Sequence, residues 1–270
     1  MIPKVINYCW FGEGKKSELI EACIKSWKKY CPDYEIVEWN EDNFDIHSNK
    51  YVEEAYNAKK WAFVTDYVRL YALYHNGGIY LDTDVEIIKP IDTFLENNAF
   101  SGFETDKYIP TAIMGAEKGN EWIEYLLSYY DSKRFIKEDG EYDLTTNVIT
   151  ISKMTVEKYD IELNGELQEI SNIFKIYPKD YFCPKDYETG DINLTENTVC
   201  IHHFNASWHK PIEKRLYDKK ISFIKKYGKE IGIKKYERWY KNRTVIIHIK
   251  RDGMKKTIEL IIERIKSLFR

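Results

Sequence analysis

Long apolar runs are missing from this sequence, and cysteines are few. No stretch of about 18 uncharged apolar residues occurs, so we predict no membrane-spanning helix. The first residues, Met1 to Tyr8, become polar too early for a secretory signal peptide. The five cysteines are an odd number without a CxxC pair, which argues against a disulfide framework or a zinc site. We therefore expect a cytoplasmic protein in a reducing environment.

Internal repeats and low-complexity segments are also absent, and the composition is that of a globular protein. Apolar residues make up 43% of the 270 residues and charged residues 31%, which is enough apolar material for a sizeable core. This composition excludes disorder, collagen and coiled coil as descriptions of the whole chain. The length allows either two domains or one large α/β domain.

Charge is distributed unevenly along the chain. Residues 210–270 hold 20 of the 41 Lys and Arg but only 7 of the 44 Asp and Glu, whereas the rest of the chain is acidic. We therefore predict a domain over residues 1–210 and a basic, mainly helical extension over residues 211–270. The last residues, 254–270, have the pattern of an amphipathic helix with a basic rim, which suits peripheral contact with an anionic inner membrane. A helical subdomain with solvated charges is the equal alternative.

Hydrophobic periodicity predicts alternating strands and helices in the first third of the chain. A strand at 4–10, a helix at 18–30 and a strand at 35–39 form a βαβ unit, which implies a parallel sheet. A strong helix at 59–75 and a short apolar strand at 79–81 follow. Further helices are predicted at 119–131 and 144–158, and further strands near 99–103, 173–177, 198–203 and 244–249.

Two acidic residues, Asp82 and Asp84, directly follow the strand at 79–81. In an open α/β sheet, ligands bind at the carboxyl ends of the strands. Two carboxylates at i and i+2 on an extended backbone point the same way and repel each other. A Mn²⁺ or Mg²⁺ ion would remove that conflict and could also bind phosphate oxygens. The pair therefore predicts a metal–diphosphate site, although a bare DxD also occurs in surface turns.

A second pair, Asp66 and Arg69, lies three residues apart on the preceding helix and therefore shares one face. One interpretation is a local ion pair. The other is that Asp66 accepts hydrogen bonds from sugar hydroxyls while Arg69 binds phosphate or orients Asp66, because its planar guanidinium binds oxyanions bidentately.

Three blocks of this sequence resemble glycosyltransferase family 32, the DxD-containing sugar transferases. They are IPKVI with WFG near the start, TDYVR at 65–69 and GGIYLDTD at 77–84. The family includes the fungal initiating mannosyltransferase and bacterial capsular and lipopolysaccharide transferases, and it is similar to the glucosyltransferase domain of large clostridial toxins. The resemblance covers about residues 1–210. Thr65 stands where the family often has Ala or Ser.

The resemblance implies a fold and a set of roles in binding a nucleotide sugar. The fold would be the α/β GT-A type, with a mostly parallel central sheet flanked by helices. Trp10 would stack on the nucleobase, or else pack in the core. Thr65 would sit near the nucleotide, and Asp66 and Arg69 would hold the donor sugar. Tyr80 would line the same pocket, or would simply pack the strand.

The resemblance also implies a metal shell. Asp82 would contact ribose, sugar or metal, and Asp84 would be the firmest metal ligand. In the IHHF block, His203 is the preferred third ligand because it directly precedes Phe204, and His202 would then point to the opposite face of the strand. A structural role for both histidines is the alternative.

Two further elements would complete this site. Ser207 and Trp208 would contact the diphosphate, with Trp208 on a loop that orders over the donor. Asn147 is a candidate for the acceptor side or the face of the sugar. The competing interpretation of that segment is a helix cap at Thr145 or Thr146.

The predicted activity is therefore retaining, metal-dependent transfer of a hexose from a nucleotide sugar to an acceptor hydroxyl in surface polysaccharide synthesis. Trp10 favours a UDP-sugar, and the acceptor would be a glycan or a lipid-linked oligosaccharide. No nucleic acid partner is expected. Two alternatives remain open. One is a metal-dependent phosphotransferase or hydrolase that uses the same two acids. The other is a non-catalytic carbohydrate- or nucleic-acid-binding protein that uses the basic tail and the 22 tyrosines.

Overall fold

A computed structural model describes residues 1–109, 112–205 and 211–252. These residues fall into two units. The first comprises Met1–Asp186 and the described residues from Asp191 onward, up to residue 205. The second comprises Tyr187–Gly190 and the helices that follow residue 210. In the described residues, no helix is both long and apolar enough to cross a bilayer.

The predicted βαβ unit opens the first unit. Strand β1 (Val5–Cys9), helix α1 (Glu18–Tyr30) and strand β2 (Glu35–Trp39) follow one another, and β1 pairs with β2 in parallel. The side chain of Ser17 caps α1 by accepting a hydrogen bond from the backbone N–H of Ile20. A parallel pair joined by a helix places the ends of β1 and β2 at the same edge of the sheet.

The next elements lead into the acidic pair. Helices α2 (Lys50–Asn57) and α3 (Trp61–Asn76) precede strand β3 (Gly78–Leu81), which pairs with β1 in parallel. Gly78 has a φ of +103°, and a Cβ there would lie 2.6 Å from the carbonyl oxygen of Val5. Only glycine therefore allows the chain to enter the central sheet this close to β1.

The remaining elements of the first unit are short. They are β4 (Val85–Ile87), a 3₁₀ helix (Asp92–Glu96), β5 (Ala99–Gly102), β6 (Ile113–Ala116), α4 (Glu121–Ser128), α5 (Asn147–Lys158), β7 (Gln168–Ile170), β8 (Phe174–Tyr177), α6 (Lys179–Phe182) and β9 (Cys200–His202).

In the described part of the chain, seven strands form one sheet in the order β2-β1-β3-β6-β5-β8-β7, and β4 and β9 form a second, two-stranded sheet. The pairs β1–β2, β1–β3 and β5–β8 are parallel, and the pairs β3–β6, β5–β6 and β7–β8 are antiparallel. The predicted α/β class, with a central sheet and flanking helices, is confirmed. The parallel block β2-β1-β3 leads to the acidic pair.

Apolar side chains cover both faces of the central strand. Ile79 and Leu81 belong to one buried cluster, and Tyr80 between them belongs to the other. Each of these three side chains is at most 2% exposed. Burying side chains of this size is worth about 1.5–3 kcal/mol each. The polar residues that follow β3 are thus attached to one of the best-packed strands of the molecule.

The second unit contains α7 (Pro211–Tyr227) and α8 (Lys229–Asp252). Gly228 joins them with a φ of +78°, and a Cβ on Gly232 would lie 2.5 Å from the Cα of Ile224, so the helices cross closely. The strand predicted at 244–249 is wrong, because α8 continues through it. A short apolar run fits a strand or a helix equally well, and here the preceding helix continues.

Candidate active site

Asp82 and Asp84 lie at the carboxyl end of β3, as predicted from the sequence. The N–H of Asp82 donates to the carbonyl oxygen of Ala112, 2.8 Å away, and the N–H of Val85 donates to the carbonyl of Asp82 at 3.0 Å. This turn carries the chain from the central sheet into β4. The two carboxylates are therefore held at the switch between two sheets, on a backbone that is hydrogen-bonded on both sides.

Arg69 joins helix α3 to this turn. Its guanidinium contacts Asp66 Oδ1 at 3.1 Å and Asp82 Oδ1 at 3.3 Å, and the side chain of Arg69 is only 5% exposed. The guanidinium also lies over the ring of Tyr80, 4.7 Å from its centroid. The hydroxyl of Tyr80 donates to Asp82 Oδ1 at 2.9 Å. The pair on α3 is thus more than a local ion pair, because it fixes Asp82 as well.

Thr65 supports Arg69 from one turn earlier on the helix. Arg69 Nε donates to the carbonyl oxygen of Thr65 at 3.2 Å, and Nη2 lies 3.4 Å from the Thr65 hydroxyl. That hydroxyl donates to the carbonyl of Ala62 at 2.7 Å. In the structure Thr65 therefore orients the guanidinium that reaches the acidic pair.

Asp66 is buried in an environment that disfavours its charge. Burial raises its pKa to about 6, Asp82 adds to the rise, and Arg69 and the side chain of Asn147 oppose it. Asn147 is the first residue of α5 and is 6% exposed. Its Oδ1 accepts from the hydroxyl of Tyr130, 3.5 Å away.

The amide nitrogen of Asn147 is buried without a hydrogen-bond partner among the described residues. A buried N–H without a partner costs about 1–3 kcal/mol, so it calls for a partner such as an ordered water, an ion or a ligand. Thr146 occupies the N-cap position of α5 but makes no side-chain capping bond. The structure thus places Asn147, a candidate from the sequence, beside Asp66, with its amide nitrogen close enough to lower the pKa of that carboxylate.

Asp84 meets a histidine from a distant part of the chain. His202 Nε2 lies 3.5 Å from Asp84 Oδ1, and Asp84 Oδ2 accepts from the backbone N–H of Asn205 at 2.6 Å. One ligand atom from each of Asp82, Asp84 and His202 lies within 4.8 Å of the others, so the three could hold a metal ion.

His202, and not His203, occupies this position. Strand β9 pairs with β4 in a register that sets His202 opposite Val85, next to Asp84. His203 points away, with Nε2 2.9 Å from Glu86 Oε2. Neighbouring residues on a strand face opposite sides, so the inter-strand register decides which histidine faces the carboxylates. The sequence favoured His203, but the register between β4 and β9 cannot be read from the sequence.

The charges around Asp84 fit a cation. Burial works to raise the pKa of Asp84, but His202 and the N–H of Asn205 outweigh it and lower the pKa to about 2. Burial likewise works to lower the pKa of His202, yet Asp84 and Cys183 raise it well above the ordinary value. A divalent ion bound to the two carboxylates would favour the neutral imidazole of His202, because a metal ligand must be deprotonated. Two carboxylates and one imidazole suit Mn²⁺ or Mg²⁺.

Trp10 lies at the same edge of the sheet as Asp82. It follows β1, which pairs with β3 so that Asn7 is opposite Tyr80. Its indole N–H donates to the carbonyl oxygen of Gly14 at 2.7 Å, and Lys16 Nζ lies 5.1 Å from the ring. The ring is half-buried, not fully enclosed in the core. Ser207 and Trp208, the predicted diphosphate contacts, lie outside the described residues.

Glu104 is a member of this region that the sequence did not single out. It follows β5, whose end points to the same edge as β3 because β6 runs antiparallel to both. Burial and the neighbouring Asp82 raise its pKa, while His202 opposes the rise. The available signal was an isolated acid after a predicted strand, which is too common to select by itself.

The part of the chain that carries Asp66, Arg69, Asp82 and Asp84 matches a known protein family. Residues 17–101 match the family described as a glycosyltransferase sugar-binding region containing a DXD motif. The matched region includes Asp66, Arg69, Asp82 and Asp84, whereas Trp10, Asn147 and His202 lie outside it.

Two curated proteins of Schizosaccharomyces pombe are similar to the chain over part of its length. Inositol phosphoceramide mannosyltransferase 3 is 30% identical over 134 residues, which are 45% of this chain and 35% of that protein. Inositol phosphoceramide mannosyltransferase 1 is 28% identical over 109 residues, 37% of this chain and 33% of that protein. The chain thus spans about a third of the length of these relatives.

Solved structures show a weaker likeness. The PaToxG glycosyltransferase has a TM-score of 0.44 at 18% identity and covers 59% of this chain and 70% of that one. A glycosyltransferase involved in glycosylation of the major capsid protein of PBCV-1 also has a TM-score of 0.44, at 13% identity, and covers 78% of this chain and 97% of that one.

Proposed function

We propose that this chain is a metal-dependent, retaining glycosyltransferase of the GT-A type that transfers a hexose from a nucleotide sugar to an acceptor hydroxyl. The observation that carries the proposal is the cluster of Asp82, Asp84 and His202 at the end of β3, joined through Asp82 to Arg69 and Asp66. It combines a cation site with a buried carboxylate that can accept hydrogen bonds from sugar hydroxyls.

The cluster suits a diphosphate leaving group. A divalent ion held by Asp82, Asp84 and His202 would supply positive charge where the departing nucleoside diphosphate becomes negative. Arg69 already contacts both Asp66 and Asp82, so its role is to hold these carboxylates in place and to offset their mutual repulsion. The rigid strand and helix that carry these residues limit any rearrangement during the reaction.

In the proposed reaction, the bond between the anomeric carbon and the phosphate oxygen breaks and a bond to the acceptor oxygen forms on the same face. The acceptor proton passes to an oxygen of the leaving diphosphate. Asp66 and the amide nitrogen of Asn147 would orient the donor sugar, one accepting and the other donating hydrogen bonds.

The proposed donor base is based on Trp10, and the proposed acceptor is based on the names of the curated relatives. The half-buried ring of Trp10 suits stacking on a nucleobase, and we propose a UDP-sugar. The curated relatives are named for a mannosyl transfer to inositol phosphoceramide, which is a lipid. That name supports a lipid acceptor. From the sequence resemblance we further propose a glycan or lipid-linked oligosaccharide acceptor in surface polysaccharide synthesis at the inner face of the cytoplasmic membrane.

Hydrolysis of a panel of UDP- and GDP-sugars with Mn²⁺ tests the proposal. At least one donor should release its sugar, and chelation of the metal should stop the release. Asp84→Asn should lower the rate by about two to three orders of magnitude. Glu86→Gln is the matched control, because it removes one carboxylate two residues away that contacts His203 outside the cluster.

Two outcomes would contradict the proposal. If Asp84→Asn stayed fully active without metal, the cluster would not be the site. If the products were the nucleoside monophosphate and the sugar 1-phosphate, with the bond between sugar and phosphate intact, the chain would be a hydrolase of phosphoanhydrides instead of a sugar transferase.

A further inference from the structure

The two helices of the second unit carry a row of aromatic rings that is only partly covered. The ring of Phe223 on α7 lies 6.2 Å from that of Trp239 on α8. Tyr236 stacks on Trp239 at 5.9 Å and on Tyr240 at 6.1 Å. None of these four rings is fully buried, and Tyr240 is 44% exposed. A row of this kind costs free energy in water unless another surface covers it.

Basic side chains lie over the same rings. Lys235 Nζ is 4.5 Å from the ring centroid of Tyr227, and the guanidinium carbon of Arg243 is 5.4 Å from that of Trp239. Lys219 Nζ on α7 is 5.7 Å from the ring centroid of Trp239 on α8. Cations and rings therefore form one continuous surface. We call it the cationic aromatic face, formed by Lys219, Phe223, Lys226, Tyr227, Lys235, Tyr236, Trp239, Tyr240 and Arg243.

The helices that form this face are strongly basic. Residues 211–252 contain fourteen Lys and Arg against five Asp and Glu. Tyr and Trp combine an apolar ring with a polar group and favour the boundary between water and lipid. Long basic side chains lay their stems on apolar surface and keep the charge at the level of phosphate groups. The two chemistries together match an anionic phospholipid surface.

We propose that the cationic aromatic face binds bilayers that contain anionic phospholipids. Two aliphatic side chains on the same helices, Ile212 and Ile231, are 55% and 56% exposed. They favour a lipid partner over a nucleic acid, because they can insert among acyl chains. The binding needs no sugar nucleotide, so it stands apart from the transfer reaction. It would bring the chain to the surface on which a lipid-linked acceptor is held.

Vesicle co-sedimentation of the full chain tests the proposal. Vesicles of phosphatidylcholine with about one third phosphatidylglycerol should bind it, and vesicles of phosphatidylcholine alone should bind it at least about tenfold more weakly. High salt should release the protein from the anionic vesicles. A variant in which four cations of the face are neutralised should lose at least about tenfold in binding. Its substitutions are Lys219→Gln, Lys226→Gln, Lys235→Gln and Arg243→Gln.

A matched control removes the same number of charges from exposed lysines of the first unit. Its substitutions are Lys25→Gln, Lys28→Gln, Lys118→Gln and Lys153→Gln. It should bind anionic vesicles as the unchanged chain does. Circular dichroism should show the same helix content in both variants.

Three results would overturn the proposal: equal loss of binding in both variants, equal binding to neutral and anionic vesicles, or tighter binding to an RNA oligonucleotide than to the vesicles. Donor hydrolysis measured on the same preparations separates the two proposals. A failed transferase assignment abolishes hydrolysis in every sample, whereas a failed membrane assignment leaves hydrolysis unchanged and abolishes only sedimentation.

Discussion

Two carboxylates of this chain, Glu54 and Asp66, are buried to the same extent and have opposite electrostatics. Their exposures are 7% and 8%, and each contacts an arginine. Glu54 accepts from Arg134 and from the backbone N–H groups of Phe135 and Ile136, at 2.9 and 3.0 Å. Burial works to raise its pKa, but these partners hold it below the ordinary value.

Asp66 has fewer partners and a like charge nearby. Its guanidinium partner, Arg69, is shared with Asp82, and burial raises the pKa of Asp66 to about 6. Glu54 thus fixes a loop by accepting several hydrogen bonds, whereas the oxygens of Asp66 can accept further hydrogen bonds from a ligand. Burial alone does not distinguish the two, because what differs is how many donors converge on the oxygens.

Replacing Arg69 and Arg134 in separate variants should give the largest difference in the free energy of unfolding. Arg69→Met leaves the buried Asp66 beside the partly exposed Asp82 without a cation, so we expect a loss of about 3–5 kcal/mol in the free energy of unfolding. Arg134→Met should cost only about 1 kcal/mol, because the side chain of Arg134 is 57% exposed and two backbone donors remain on Glu54. Urea unfolding of both variants measures the difference, and equal losses would contradict it.

Neutralising Asp66 should separate activity from stability. Asp66→Asn should lower donor turnover by about ten- to a hundredfold, because a sugar-orienting acceptor is lost. The free energy of unfolding should stay constant or rise at neutral pH, because a desolvated charge has been removed. Turnover and urea unfolding on one preparation measure both effects, and a variant that lost stability but not turnover would place Asp66 outside the site.

The pH dependence of stability gives a second measure of Asp66. Its folded pKa of about 6 exceeds the ordinary 3.8, so the folded state binds more protons than the unfolded state between these values. Its contribution should therefore raise stability as pH falls from about 6 to about 4, by up to about 3 kcal/mol. The difference between the unchanged chain and Asp66→Asn isolates this contribution, and a pH-independent difference would contradict the raised pKa.

Local sequence patterns located the elements that carry Asp66 and the acidic pair. The strand at 35–39 has the predicted bounds, and the predicted helix at 59–75 and strand at 79–81 differ by two residues or fewer at each end. These elements are long or strongly periodic, or follow a glycine stop, so local forces fix them. Helix α2 (Lys50–Asn57) and strand β6 (Ile113–Ala116) were not predicted, because both are short.

Contacts between distant segments were beyond sequence reasoning. The insertion of β6 beside β3 and the pairing of β4 with β9 depend on tertiary packing. The second of these pairings put His202, and not His203, beside Asp84. The partners of Glu54 come from a loop 80 residues further along. Periodic patterns in one sequence do not show which distant residues contact each other. A carboxylate that stabilises the fold and a carboxylate in the candidate site therefore look alike in sequence.

The other half of the comparison is tested by Glu54→Gln. The amide keeps one acceptor oxygen but loses the charge that Arg134 and two N–H groups converge on. We expect a loss of about 1–3 kcal/mol in the free energy of unfolding, with turnover of the folded enzyme unchanged. Urea unfolding and initial rates at a temperature where the variant is folded measure the two quantities. Reduced turnover in fully folded protein would assign Glu54 to the site after all.

The smallest effect is expected at Asp143, which is an intermediate case. Its side chain is 12% exposed and lies 2.6 Å from Lys133 Nζ, and it also accepts from Thr145. Burial works to raise its pKa, but Lys133 and Thr145 lower it to about 2. Because the folded pKa lies below the ordinary 3.8, its contribution is present above pH 3.8 and is lost as pH falls toward about 2. Asp143→Asn should cost about 1 kcal/mol at neutral pH and clearly less at pH 2, where about half of the folded carboxyl is protonated, measured by urea unfolding. If the cost of Asp143→Asn were as large at pH 2 as at neutral pH, it would come from hydrogen-bond geometry and not from the charge of Asp143.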